Sequence, residues 1–443
     1  MALGLLLLPL LLLLALTADK HSLSKRYYLA YSFCMLGFSA YLVWSLTRNS
    51  LPMTSIWAGQ DGILLIWILA LMVVTWTYPW GRLSKLLLCE QLLLVLGFLL
   101  LNPLAPPDTS EILSPIPIVY IGCALLAVPF AEGLLGQGLR GRWYLHMGWL
   151  ILGTGLVLSG FLSWSLSEAA SLVPWLLVTI ALHLYSKGRS LPFVLLAYVS
   201  AIWAAVIRQS SSSLYLYSLL AIHGGVSLYV LLRDRKQHEP LPLVWQALAL
   251  YALWVAAGTT LPLLSGLFLG RVINTSPGFY RSGAVPAVLL IIWSLRHSLQ
   301  RDGTARSLAH FGGVLFLIGA VASSIYTSKQ TVTLKSGDMQ EIGDVRLTYN
   351  QSSTGGEIRA AFGDTILEVQ LTAKTVLLRQ LWRDIYISPL SGSDEVLKGH
   401  AADPLLSAEV SVVPLMNLVR VGAVLTLFGG LLTLAEQAFA KEL

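Results

Sequence analysis

His183 and His310 are the residues whose type and position most plainly suggest chemistry. Each lies about one helical turn inside the end of a long apolar segment, and the two segments are far apart in the chain. A charged side chain at membrane depth costs ~2.5 kcal/mol or more, so an ionisable residue there is a candidate for function. Neutral imidazole is a good iron ligand, and two imidazoles at matching depth on separate helices suit the axial positions of a low-spin b-type haem. The plainer reading of each is a hydrogen bond to a neighbouring helix. His146 and His223, also within apolar runs, are rival ligands.

The elements that must position these side chains are apolar helices. Of the 443 residues, 56% are hydrophobic and 12% charged, and the mean hydropathy is +0.71. A soluble domain cannot hide that much apolar surface. Thirteen apolar runs are long enough to span or nearly span a bilayer: 2–17, 28–46, 60–79, 86–101, 116–137, 144–164, 171–186, 191–207, 214–232, 243–269, 284–298, 308–326 and 414–435. The expected class is therefore an all-α polytopic membrane protein of about 13 transmembrane helices, with the lipid bilayer as its first partner.

Lys and Arg set the expected orientation. Fifteen basic residues fall in one set of alternate loops, around Lys20–Arg26, Arg82–Lys85, Arg140–Arg142, Lys187–Arg189, Arg233–Lys236 and Arg296–Arg306. The opposite loops hold only Arg48, Arg208, Arg271 and Arg281. The bias places the first set in the cytoplasm of a cell (inner) membrane, with the N-terminus outside and the C-terminus inside. Both His183 and His310 then lie at cytoplasmic helix ends, beside Lys187 and Arg306. The net charge of +6 reflects this topology and calls for no nucleic-acid partner. The first run has no basic residue ahead of it and no small-x-small cleavage site, so it reads as a retained helix. Cys34, Cys89 and Cys123 lie inside apolar runs and offer neither a disulfide framework nor the C-x-x-C-H of covalent haem.

Residues 327–412 break the apolar pattern. Short alternating runs at Thr331–Leu334, Asp344–Tyr349, Thr365–Gln370 and Asp384–Ile387, with turn-like Ser336-Gly337-Asp338 and Thr354-Gly355-Gly356, predict a small outside β domain of sandwich or barrel type. Three parts follow: a polytopic helical domain over 1–326, the β domain over 327–412, and a final transmembrane helix with a cytoplasmic tail over 413–443.

Several stretches carry a specific pattern: Asn49-Ser-Leu-Pro52 with Ile56-Trp-Ala-Gly-Gln-Asp-Gly62; Trp164-Ser-Leu-Ser-Glu-Ala-Ala-Ser-Leu-Val-Pro-Trp175; Ala309-His-Phe-Gly-Gly313 with Ile318-Gly319 and Ser323-Ser324; Leu377 to Pro389; and Gly429-Gly430. In this order, over almost the whole chain, they resemble the CcmF family of cytochrome c biogenesis proteins, in the haem-handling superfamily. The first resembles that family's early tryptophan-Gly-Gly-His-Glu-Gly loop, and the second its tryptophan-rich WWD signature. The third is similar to the helix before its outside β domain, the fourth to that domain's closing segment, and the last to its final helix.

The resemblance implies a haem b within the membrane, held by two helix histidines at the positions of His183 in Ala181-Leu-His-Leu184 and His310 in Leu308-Ala-His-Phe311. It also implies a second haem outside, between two loop histidines over the tryptophan-rich surface, and there this sequence departs. Pro115 stands at the place of the first histidine, and residues 209–222 offer none for the second. The tryptophan-rich loop near 159–175 is short, and Ser165 stands where an Asp is usual. Less aromatic area is left to stack a porphyrin. The expectation is an intact membrane haem site and a degenerate outside one. Trp57, Trp164, Glu168 and Trp175 are candidates for that outside haem surface. Their plainer roles are the interfacial aromatic belt and, for Glu168 as for Asp61, helix N-capping. Arg271 and Arg281 offer an anion contact, such as to a haem propionate, or simple loop solvation.

By resemblance, the chain acts as a haem lyase component of cytochrome c maturation, in haem ligation to apocytochrome c. Its partners would be a haem chaperone and apocytochrome-binding subunits, with quinol as a source of electrons. Catalytic residues for thioether formation are unknown, since no acid–base group for it is evident. The alternative is a haem-b-binding electron-transfer or assembly subunit of a respiratory-type membrane complex, without ligation activity. A transporter fits less well, because no pair of broken helices with matching polar sites is evident.

Overall fold

Twelve of the thirteen apolar runs lie on α-helices in the computed structural model. The structure describes residues 2–48, 60–78, 80–100, 116–136, 142–162, 166–185, 188–208, 214–233, 241–271, 273, 279, 304–326, 328–342, 345–352, 355–362, 365–370, 376–379, 383–389 and 405–439. The helices are α1 Ala2–Thr17, α2 His21–Arg48, α3 Gln60–Thr77, α4 Arg82–Leu100, α5 Ile116–Leu134, α6 Arg142–Leu162, α7 Leu166–Leu184, α8 Leu191–Arg208, α9 Leu214–Arg233, α10 Leu243–Leu269, α11 Thr304–Tyr326 and α12 Met416–Phe439. The run expected at 284–298 lies outside the described residues. The stretch expected as a tryptophan-rich loop is drawn differently: residues 159–162 end α6, and 166–175 open α7.

Among the described residues, two helical segments are long and apolar enough to cross a membrane, Leu243–Gly266 and Met416–Thr433. Shorter apolar helical stretches include Leu64–Thr77, Ile118–Leu134, Leu172–Leu184 and Leu191–Val206. Large apolar side chains also face outward, with Phe33 67%, Leu250 65%, Leu253 65% and Phe268 75% exposed. Water would penalise such surfaces; lipid would not.

The chain divides into two compact units, residues 1–306 with 427–443, and residues 307–426. The interior of the first is a continuous apolar cluster running through α1 to α10, with Trp67, Tyr28, Tyr31, Tyr198 and Phe98 fully enclosed.

The second unit carries eight strands: β1 Ser328–Lys335, β2 Met339–Ile342, β3 Val345–Ser352, β4 Gly355–Phe362, β5 Thr365–Gln370, β6 Val376–Arg379, β7 Arg383–Pro389 and β8 Leu405–Pro414. They form two four-stranded antiparallel sheets, in the orders β1-β8-β7-β6 and β2-β3-β4-β5. Alternate residues are sealed inside: Val332, Leu334, Leu347, Tyr349, Ile385, Ile387, Ala408 and Val410 are each at most 1% exposed. Period-two alternation supplies one apolar face per strand. At the predicted Ser336-Gly337 turn, the Asp338 amide donates to the Lys335 carbonyl at 2.9 Å, and Gly337 takes φ 90°.

Strand β8 passes into α12 through Leu415, a non-glycine residue at φ 59°. One helical turn on, Arg420 reaches back to β7. Its Nη1 donates to Asp384 Oδ1 at 3.0 Å and to Asn417 Oδ1 at 2.7 Å, and its Nη2 pairs with Asp384 Oδ2. The Asp384 side chain is fully buried and that of Arg420 is 11% exposed, so this two-pronged pair fixes the strand to the helix. Helix α11 meets α12 backbone to backbone. A Cβ on Gly312 would overlap Thr426 and Gly422, and one on Gly319 would stand 2.6 Å from the Val419 amide. Close approach through small residues is the usual way for apolar helices to gain contact without a hydrophobic drive.

Two outcomes are expected. Asp384→Ala should destabilise the second unit by ~3–5 kcal/mol by stranding a buried guanidinium, while the Asp384→Leu/Arg420→Met double variant should recover most of the loss; thermal unfolding of purified protein measures both. Gly422→Leu should abolish a folded, monodisperse product in size-exclusion chromatography. Gly313→Ala should not, because its Cβ would sit 3.9 Å from Thr426 Oγ1.

Candidate haem-ligating histidines and buried polar clusters

His183 stands in the last turn of α7. Its Nδ1 lies 2.8 Å from the Thr179 carbonyl oxygen. A carbonyl only accepts, so Nδ1 carries the hydrogen and the lone pair sits on Nε2. That is the tautomer a metal-binding imidazole needs, oriented by the backbone bond that commonly holds such ligands. The ring packs against Trp245 of α10, with centroids 4.5 Å apart, and its side chain is otherwise exposed.

The same face of α7 continues inward at four-residue spacing. Thr179 donates to the Trp175 carbonyl at 2.8 Å and accepts from Trp149 Nε1 of α6 at 2.9 Å. The Trp149 and Trp175 rings stack with centroids 5.8 Å apart and planes at 17°. Trp175 therefore sits mid-helix and packs against the α6 aromatic ring. The aromatic pair fits because position 153 is glycine, where a Cβ would stand 2.8 Å from Trp175 Nε1. Glu168 falls inside the first turn of α7 rather than ahead of it. Trp57 and Trp164 lie outside the described residues.

His310 is half-buried on α11, one turn after Arg306 and two residues before the Gly312 contact that sets the register of α11 on α12. His183 belongs to the first unit and His310 to the second. Each has a place on an apolar helix and, in the sequence, a basic residue four positions away. Two imidazoles suffice for a haem iron. Among the described residues, no group of three or more His, Cys, Asp and Glu is arranged to hold a bare metal ion.

Of the rival histidines, His146 makes the same kind of backbone bond as His183, its Nδ1 lying 2.7 Å from the Arg142 carbonyl. His223 is 4% exposed, and its Nε2 is 2.7 Å from Glu90 Oε2. That nitrogen is engaged by a carboxyl, so His223 is not arranged as an iron ligand. Glu90, 8% exposed, also accepts from the Tyr198 hydroxyl at 2.7 Å. A second carboxyl, Glu132 on α5, is 1% exposed and accepts from the Tyr78 hydroxyl at 2.7 Å. Neither glutamate was singled out from sequence, although both lie within apolar runs. The signal was the one used for the histidines: an ionisable residue where water is excluded.

No family model matches the chain. It is 27% identical to the probable cytochrome c-type biogenesis protein NrfE of Escherichia coli, over 70% of this chain and 72% of that protein. It is 26% identical to the cytochrome c-type biogenesis protein CcmF of Pseudomonas fluorescens, over 45% of this chain and 37% of that protein. A solved structure, the cytochrome c haem lyase CcmF, superposes with a TM-score of 0.66 at 18% identity, covering 97% of this chain and 95% of that one. The chain is similar to cytochrome c biogenesis proteins of the CcmF type.

The fold is thus that of a CcmF-type membrane protein, mostly helical with a small sheet region. The chain spans well under half the length of the Pseudomonas relative, so the likeness there concerns a part of that protein. Within the CcmF-type scaffold, Thr179 ties the helix bearing His183 to α6. Thr179→Val leaves the Trp149 indole N–H without its acceptor and should lower stability by ~1 kcal/mol. Trp149→Phe added to Thr179→Val should cost less than the two separate losses together, read from thermal unfolding as a double-mutant cycle.

Proposed function

We propose that this chain is a membrane component of cytochrome c maturation that acts in haem ligation to apocytochrome c through a haem b held by His183 and His310. The observation that carries this reading is the His183 geometry: an exposed imidazole in the last turn of an apolar helix, its Nδ1–H held by the Thr179 carbonyl, which sets the tautomer and orients the ring. The family likeness to named cytochrome c biogenesis proteins supports the pathway. His183 and His310 each sit four positions from a basic residue in the sequence, which supports a common depth near the cytoplasmic face of an inner membrane.

A haem so held would supply a low-spin centre able to pass single electrons. The chain's own part is to fix the two imidazoles, through Thr179 for one and through the α11–α12 glycine contact for the other, and to keep water from the helix interiors. The proposal includes about 13 membrane spans with the N-terminus outside, the C-terminus inside and the sheet region outside. It divides the chain into a helical domain over 1–326, an outside β domain over 327–412 and a final span over 413–443. Its partners are a haem chaperone, apocytochrome-binding subunits and a quinol donor.

Pro115 and the histidine-free 209–222 stretch favour a second reading. A chain without the loop histidines for an outside haem would serve as a haem-b-binding electron-transfer or assembly subunit of a membrane complex.

Purified protein should show a reduced-minus-oxidised spectrum of low-spin haem b, lost in His183→Ala and in His310→Ala. Retention in both, with loss only in His146→Ala or His223→Ala, overturns the ligand assignment. Deleting the gene in a strain without a paralogue separates the two readings. Loss of holo-cytochromes c supports maturation, and normal holo-cytochromes c support the electron-transfer subunit.

A further inference from the structure

Glu90, Tyr198 and His223 come from three helices, α4, α8 and α9, and each falls near the middle of its helix. All three are enclosed, at 8%, 0% and 4% exposure. The surrounding wall is aromatic. Phe130 of α5 lies 4.6 Å from the Tyr198 ring and 5.6 Å from His223, and Trp67 of α3 lies 6.3 Å from Tyr198. The titratable group beside the pair is the Cys89 thiol on α4. The carboxyl of α5, Glu132, is bonded to Tyr78.

The protons of this cluster can be placed from geometry. His223 Nδ1 is 2.8 Å from the Leu219 carbonyl oxygen, which only accepts, so Nδ1 carries a hydrogen. The Nε2–Oε2 line to Glu90 is 2.7 Å. A bare nitrogen lone pair facing a carboxylate lone pair at that distance would repel, so a proton lies between them. The Tyr198 hydroxyl donates to the other oxygen, Oε1, at 2.7 Å.

We propose that Glu90, His223 and Tyr198 form a proton-binding site in the interior of the helical unit, whose ligand is a single proton shared between the carboxyl and the imidazole. With the proton on Oε2, the pair is a carboxylic acid and a neutral imidazole. Moving it to Nε2 breaks the O–H bond, forms the N–H bond and leaves a carboxylate with an imidazolium. The net charge of the pair is zero in both forms, which a low-dielectric surrounding favours. The Tyr198 hydrogen bond stabilises the carboxylate form. Removal of the shared proton to solvent leaves one uncompensated negative charge, so proton exchange is the chemical event the site is built to register. The site shares no residue with the proposed haem ligands and does not depend on a haem.

Infrared difference spectroscopy on the full chain in lipid nanodiscs, between acidic and alkaline buffer and in light and heavy water, tests this. A carboxyl signal sensitive to heavy water is expected in the wild type and absent from Glu90→Gln. His223→Gln and Tyr198→Phe should keep the signal and change its midpoint by about tenfold in proton affinity, the effect of losing one hydrogen bond to a charged group. A difference spectrum identical in wild type and Glu90→Gln overturns the proposal, as does a midpoint that ignores both other variants. Tyr198→Phe removes one hydroxyl from an unchanged ring. It therefore decides the matter alone if the other variants fail to fold: a moved midpoint supports the site, and an unmoved one overturns it.

Discussion

Inside a bundle of apolar helices, a polar side chain finds its partner in the protein or pays the full cost of desolvation. That constraint is met most densely on α4. Glu90 and Gln91 are neighbours in sequence, and consecutive helix residues point ~100° apart. They therefore serve two separate networks. Gln91 Nε2 donates to Thr75 Oγ1 at 2.6 Å and to Tyr28 Oη at 3.0 Å, while the Tyr28 hydroxyl donates to the Met72 carbonyl at 3.2 Å. Glu90 turns the other way, to Tyr198 and His223. Two adjacent residues so join α2 and α3 on one side to α8 and α9 on the other. Apolar packing is non-directional and would tolerate several helix rotations; these bonds tolerate one.

The same rule governs the second unit with a different ending. Asp384 lies on β7 of a sheet whose inner face is sealed by Ile385, Ile387 and Val410. Its charge is matched by Arg420, a residue that exists at that place because Leu415 adopts a left-handed backbone and lets the chain turn from β8 directly into α12. A non-glycine residue at φ 59° carries a cost of ~1–2 kcal/mol. Fork-to-fork pairing of a buried guanidinium and carboxylate offsets it and fixes the angle at which the helix leaves the sheet.

Much of this architecture was legible because helices and strands announce themselves by period. The apolar runs predicted twelve described helices, with the largest displacement at the polar start of His21–Arg48, which the run beginning at residue 28 missed. The alternation at Thr331–Leu334, Asp344–Tyr349, Thr365–Gln370 and Asp384–Ile387 located β1, β3, β5 and β7. Their partner strands were harder to read. β4 begins with Gly355-Gly356, which looks like a turn but pairs with Gln351 and Ser352, and β8 lies against the apolar run of the final helix. The alternation of Ser407-Ala408-Glu409-Val410 runs without a break into the apolar start of that helix, and this hides the end of β8. The polar network was legible only as isolated letters. Nothing in the spacing of Glu90, Tyr198 and His223 says that three helices distant in sequence bring them within 2.7 Å.

Depth alone also fails to separate a ligand from a structural histidine. His146, His183 and His223 share one local geometry, each with Nδ1 within 2.8 Å of the carbonyl one turn back. Helix geometry makes that bond available to any histidine in the right rotamer, so it fixes the tautomer without choosing the role. The choice is made at Nε2. For His223 it meets a carboxyl that holds a proton against it, and a metal would have to displace that proton and leave Glu90 charged in an apolar wall. For His183 the ring is exposed and packs beside Trp245. What distinguishes the two residues is therefore the partner that tertiary packing supplies, which neither depth nor tautomer reveals.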